Sequence, residues 1–249
     1  MTRTGALAVV LSFTVAPQSR AQAPPPVNAP QVIAVAHTAY SKTTELFAEW
    51  RPLIVGETIR LTAHLTRTSG DGFKPYAEGK VTLTLTVNAV VANAAADGPE
   101  RAGVFRLNVT PQKTGTGRIV VNVSAAASDE HFVIDNVPVH ASVAEALTRQ
   151  SPAETGLISF AKERSWEQDF ATAPPTVLFP GAGRIFMVPA AAIVREGATA
   201  RVYVQRTPER FELREIQMRR TVGGNVEVIA GVREGERIVV RGADKMPRR

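Results

Sequence analysis

Four histidines, His37, His64, His131 and His140, are the chain's only side chains that titrate near neutral pH without help, and all lie in its first 140 residues. Imidazole is a common metal ligand, but no two of these histidines stand at the short spacing of a zinc motif. Cysteine is absent, so disulfides and thiolate metal sites are excluded. Thioether ligation is thinly supplied, because Met187, Met218 and Met246 are scattered. Catalysis has no foothold either: there is no Gly-x-Ser-x-Gly elbow, no His-Glu-x-x-His, and no glycine-rich phosphate loop. Asp129-Glu130-His131 sets two acids beside a histidine, and without a nucleophile motif it reads as a solvated loop. No enzyme is expected.

Charge is the other chemical resource. Residues 176–249 hold 14 basic and 8 acidic side chains, which accounts for the whole net charge of +6. The cations are almost all arginines placed singly, with little aromatic interleaving, so nucleic acid is not the expected partner. An acidic protein or an anionic lipid surface fits better, against the plainer reading of solvated strand faces.

The elements that carry these residues read as strands. In Val81 to Val87 every odd residue is apolar and every even one is Thr, which buries one face and wets the other. Similar runs are Gln31 to Ala36, Thr43 to Trp50, Thr58 to Arg67, Lys80 to Val91, Gly103 to Val109, Gly117 to Ala125 and His131 to Val139. About seven strands at this spacing predict an immunoglobulin-like β-sandwich over residues 31–145. Residues 146–180 read as a linker with a short helix. Residues 181–246 read as a small β-barrel or sandwich, with Gly223-Gly224 as a hairpin turn needing positive φ. Ahead of these, Met1 to Ala23 has the three-part plan of a signal peptide: Arg3, an apolar run from Ala6 to Ala16, and small residues at Ser19 to Ala23. Residues 24–30 form a proline-rich linker. The expected fold class is all-β, and the expected location the periplasm.

Two blocks resemble a known family. The run His37 to Phe47, with Phe73-Lys74-Pro75, is similar to the extra N-terminal domain of periplasmic adaptor (membrane-fusion) proteins of heavy-metal efflux pumps of the resistance-nodulation-division type. Trp166 to Ala173 is similar to the segment leading into the adaptor body. Val188-Pro189, Gly197, Phe211, Gly231, Gly235-Glu236 and Gly242 match the membrane-proximal domain. The lipoyl domain, helical hairpin and most of the barrel that lie between these blocks in the family have no counterpart, since Ala173 is followed within three residues by Thr176.

The resemblance implies an adaptor subunit held at the inner membrane through its partner, an inner-membrane efflux pump. Arg214 and Arg219 are then the expected docking cations. Contact with an outer-membrane channel is not expected without the hairpin. No resident cofactor is implied. The resemblance leaves room for self-association and for transient capture of a divalent or copper ion, with His37, inside the matching run, as the expected ligand. A secreted β-sandwich binding module and a periplasmic ion carrier are the competing readings.

Overall fold

Strands β1 (Val35–Tyr40), β2 (Thr44–Trp50), β3 (Leu53–Ile54), β4 (Ile59–Arg67) and β5 (Lys74–Pro75) open the fold in the computed structural model, which describes residues 32–69, 73–125, 128–178 and 183–248. The expected signal peptide and the proline-rich linker lie outside the described residues. Five more strands follow: β6 (Lys80–Val87), β7 (Val90–Ala96), β8 (Val104–Val109), β9 (Gly115–Ala125) and β10 (Ser128–His140). One sheet runs β1-β2-β4, with β5 and β8 sharing the far edge of β4. The other runs β3-β10-β9-β6-β7, with β3 parallel to β10 and the remaining pairs antiparallel. The fold is all-β, as its alternation predicts.

The threonine-alternating strand is β6. Val81, Leu83, Leu85 and Val87 are buried while Thr82, Thr84 and Thr86 are half-exposed. They meet Leu46, Leu61, Leu65, Phe105 and Leu107 of the first sheet in one apolar core. The sequence run Lys80 to Val91 is not a single strand, however. Asn88 and Ala89 both take positive φ (47° and 64°), and the chain reverses there into β7. Two left-handed residues in a two-residue loop match the twist of a β-hairpin. Asn tolerates that conformation, but Ala gives no warning of it.

Helix α1 (Val143–Arg149) begins at Ser142, whose hydroxyl accepts from the Glu145 amide (3.2 Å), an ordinary N-cap. Then come β11 (Ile158–Ser159), α2 (Lys162–Glu167), β12 (Ala171–Ala173) and β13 (Thr176–Val177). Only Pro174 and Pro175 separate β12 from β13, although these two strands belong to different sheets. Strands β14 (Phe186–Pro189), β15 (Val194–Glu196), β16 (Thr199–Thr207), β17 (Arg210–Glu215), β18 (Gln217–Val222), β19 (Asn225–Ala230) and β20 (Arg237–Arg241) complete the fold. They form a six-stranded sheet, β11-β17-β16-β20-β12 with β15 on β16, and a four-stranded sheet, β13-β14-β19-β18. Val188, Val202, Val228 and Ile238 fill the space between the two. The expected turn at Gly223-Gly224 joins β18 to β19, with φ of 55° and 79°.

From Val32 onward the chain is one compact unit. A third apolar cluster explains how its two halves adhere. Phe160, Phe170 and Phe211 pack on the far face of the six-stranded sheet, and Phe73 from the sandwich meets Phe170 edge-on at 6.3 Å. Among the described residues no helix is long and apolar enough to cross a membrane.

Candidate functional site

Strands β2 and β4 should each have one wet face, yet both are buried on both faces over much of their length. The register sets Glu45 opposite Thr66 and Phe47 opposite His64, so Glu45, Phe47, Glu49, His64 and Thr66 share the face turned away from the sandwich core. Helix α2 and the β16–β17 turn cover that face. Trp166 of α2 donates from Nε1 to Thr66 Oγ1 (2.9 Å), and its ring lies 6.1 Å from that of His64. Gly103, at φ +80°, stands against the Trp166 ring, where a Cβ would collide with it.

Two charge systems occupy this junction. In the first, Lys162 and Glu45 form an ion pair with both side chains 1% exposed. Burial holds the Lys162 pKa below its usual value, and the Glu45 carboxylate opposes that shift. The Lys162 ammonium also lies 5.1 Å from the centre of the Phe73 ring. Glu45 accepts a hydrogen bond from the Tyr40 hydroxyl (2.8 Å), which in turn accepts one from Gln205 Nε2 (2.8 Å) on β16. The guanidinium of Arg237 stacks 4.1 Å from the Tyr40 ring centre. An ion pair this deep needs such auxiliary partners, because desolvation offsets much of the Coulombic attraction.

In the second system, His64 from β4, Glu163 from α2 and Glu209 from the β16–β17 turn place donor atoms within 4.8 Å of one another. His64 is 5% exposed, and its Nδ1 is buried without a hydrogen-bond partner. Burial drives its pKa down to about 4, so the ring is neutral at physiological pH. Glu209 is anchored through Oε1, which accepts from the Lys162 amide (2.7 Å), while Glu163 pairs with Arg101. Glu49 lies close enough to feel both carboxylates. Burial first, then Glu209 and more weakly Glu163, push its pKa up to about 7 against the opposing pull of Arg210. One neutral imidazole and converging carboxylates are a donor set for a cation.

The residues singled out from sequence fall elsewhere. His37 sits half-buried on β1 opposite Ala48, outside this cluster. His131 is exposed, with Nδ1 2.7 Å from Asn122 Oδ1, and the Nδ1 of buried His140 is 4.0 Å from Glu145. Arg214, 17% exposed, is clasped by Glu212 and Glu236 (2.6 and 2.8 Å), which raise its pKa. Arg219, 57% exposed, is the member of the expected docking pair that faces solvent. Its neighbour Arg220 donates to the buried Glu227 (2.9 Å) from an equally open position on β18, an edge strand. Sequence reasoning did not find His64 as a cluster member. The available signal was Glu45, Glu49 and His64 on strands whose other faces are apolar.

No family model matches the chain, and neither does any curated protein. Similar solved structures include a 180-residue piece of SilB from Cupriavidus metallidurans CH34, which spans its N-terminal metal-binding site and membrane proximal domain. It is 28% identical, covering 28% of this chain and 39% of its own, with a TM-score of 0.26. ZneB from Cupriavidus metallidurans is 14% identical, covering 74% of this chain and 40% of its own, with a TM-score of 0.22. The chain thus spans about two fifths of the length of each.

Proposed function

We propose that this protein is a periplasmic adaptor-type subunit of a heavy-metal efflux assembly, docking on an inner-membrane pump through its C-terminal β domain. The observation that carries this reading is where the family-like residues lie. From the first block, Glu45, Phe47 and Phe73 are all buried at the junction; from the second segment, Phe170 packs on Phe73 and Trp166 meets Thr66 and His64 there. From the C-terminal block, Val188 and Phe211 are fully buried core residues, and Gly197, Gly231, Gly235 and Gly242 all take positive φ. The resemblance therefore tracks residues that build and join the two halves, which is what a docking scaffold requires of them.

The docking surface follows from the charge placement. On β18 two open arginines, Arg219 and Arg220, share the single carboxylate of Glu227. The unbalanced positive charge on an edge strand favours an acidic surface, and its reach is limited to a Debye length of about 8 Å at physiological salt. Among the described residues only Pro174 and Pro175 lie between β12 and β13, which supports the reading of a subunit that engages the pump without a hairpin to reach an outer-membrane channel.

The test is co-purification of the full chain with a candidate inner-membrane pump, for the parent and the Arg219→Glu/Arg220→Glu variant, at low and high salt. Capture that weakens with salt and with charge reversal supports the reading. Capture indifferent to both removes the electrostatic docking surface, and no capture of any such pump removes the adaptor role.

A further inference from the structure

We propose that His64, Glu163 and Glu209 bind a divalent first-row cation of the zinc type, which clamps the sandwich to the C-terminal β domain. The three come from separate elements, the sandwich strand β4, helix α2 and the β16–β17 turn, so any ion they share bridges the two halves. Imidazole nitrogen with carboxylate oxygen suits zinc and its neighbours. Metal–ligand bonds of about 2.0–2.2 Å set donor atoms at most about 4.4 Å apart, so the proposal requires the two half-buried glutamates to close on the ion wherever they lie farther apart than that.

Two independent observations point to a ligand. The first is His64 itself: an imidazole at 5% exposure whose Nδ1 has no partner is a buried polar group left unsatisfied, which native structures rarely tolerate without a reason. The second is the crowding of carboxylates. Glu163 and Glu209 converge on His64 with Glu49 beside them, while Lys162 is committed to Glu45, Arg101, itself exposed, pairs with Glu163, and Arg210 opposes the shifts at Glu49 and Glu209. A bound cation relieves that repulsion and displaces at most one exposed ion pair, a small loss. Access exists as well. A groove of about 890 Å³ is lined by Glu49, Trp50, Arg210 and Glu209, so Glu209 is reached from that side. None of this depends on a pump, and the site and the adaptor role stand or fall separately.

The test is calorimetric titration of Zn²⁺ into the full chain after treatment with a chelator, for the parent and for His64→Gln, Glu163→Gln and Glu209→Gln. One ion per chain is expected, with affinity falling at least about tenfold in each variant, the scale that even outer-shell changes reach. His37→Gln and His131→Gln serve as controls and should bind like the parent. Thermal melts without metal establish that each variant folds, and Zn²⁺ should raise the midpoint of the parent and of the controls but not of the three ligand variants. Co²⁺, a spectroscopic substitute, should quench Trp166 in a Trp50→Phe background. Absence of binding, or binding that survives all three ligand variants, overturns the proposal. So does binding that disappears in His37→Gln.

Discussion

The sandwich core and the junction are built on opposite faces of the same strands. On the core side, Leu46, Ala48, Leu61, Ala63 and Leu65 meet apolar partners from the second sheet and need only the right volume. On the junction side, Glu45, His64 and Thr66 are covered nearly as thoroughly but depend on particular partners: Lys162 for Glu45, Trp166 for Thr66. The difference teaches that burial alone does not mark a core. Apolar burial is tolerant and roughly proportional to area, whereas polar burial depends on particular pairs and fails when one member is missing.

The largest effect should come from breaking one such pair. Lys162→Met leaves Glu45 buried without its counter-charge and is expected to cost about 3–5 kcal/mol in urea unfolding. Adding Glu45→Leu should recover most of that loss, because the cost lies in the orphaned charge. A single variant as stable as the parent would show that the junction does not depend on the pair. Leu83→Ala, in the core, should cost about 2–5 kcal/mol through lost burial and a cavity. There, no second-site partner substitution should restore it, and recovery by one would erase the contrast.

A smaller effect concerns pH, with chelator present. Glu49 keeps its proton to about pH 7 when folded but releases it near the usual glutamate value of 4.5 when unfolded, so its contribution falls as pH rises through that interval. His64 works in the other direction. Its folded pKa of about 4 lies below the usual imidazole value of 6.5, so stability falls as pH drops through that range. Glu49→Gln should therefore gain on the order of 1–2 kcal/mol over the parent at about pH 8 and little at about pH 4. Equal differences at both pH values would mean that its carboxyl does not titrate as placed. The smallest effect is expected on the outer surface. Arg219→Glu should leave stability within about 0.5 kcal/mol, since an exposed pair contributes little. A larger loss would move Arg219 from the docking surface into the structural framework.

Legibility followed the same division. The buried face of β6 was readable because Thr alternates with Val and Leu at the period of a strand. The reversal at Asn88-Ala89 was not, since Val90 and Val91 continue the apolar run without Gly or Pro. The junction partners were hidden by distance along the chain: Trp166 reaches Thr66 over 100 residues, and Gln205 reaches Tyr40 over 165. A histidine such as His64 looks the same in sequence whether its strand face is wet or covered.

By itself, then, the sequence determined the all-β architecture, the glycine turn at Gly223-Gly224 and the concentration of positive charge after residue 175. These depend on local periodicity, backbone preference and composition, which neighbouring residues settle among themselves. Only the tertiary structure decided that the polar faces of β2 and β4 are buried, that Lys162 neutralises Glu45, that Arg214 is clasped while Arg219 is free to face solvent, and that His64 rather than His37 joins the carboxylates. Each of these depends on which distant element covers a given face. Electrostatic and hydrogen-bond energies vary steeply with a few ångströms of separation and with exclusion of water, quantities that no local pattern encodes.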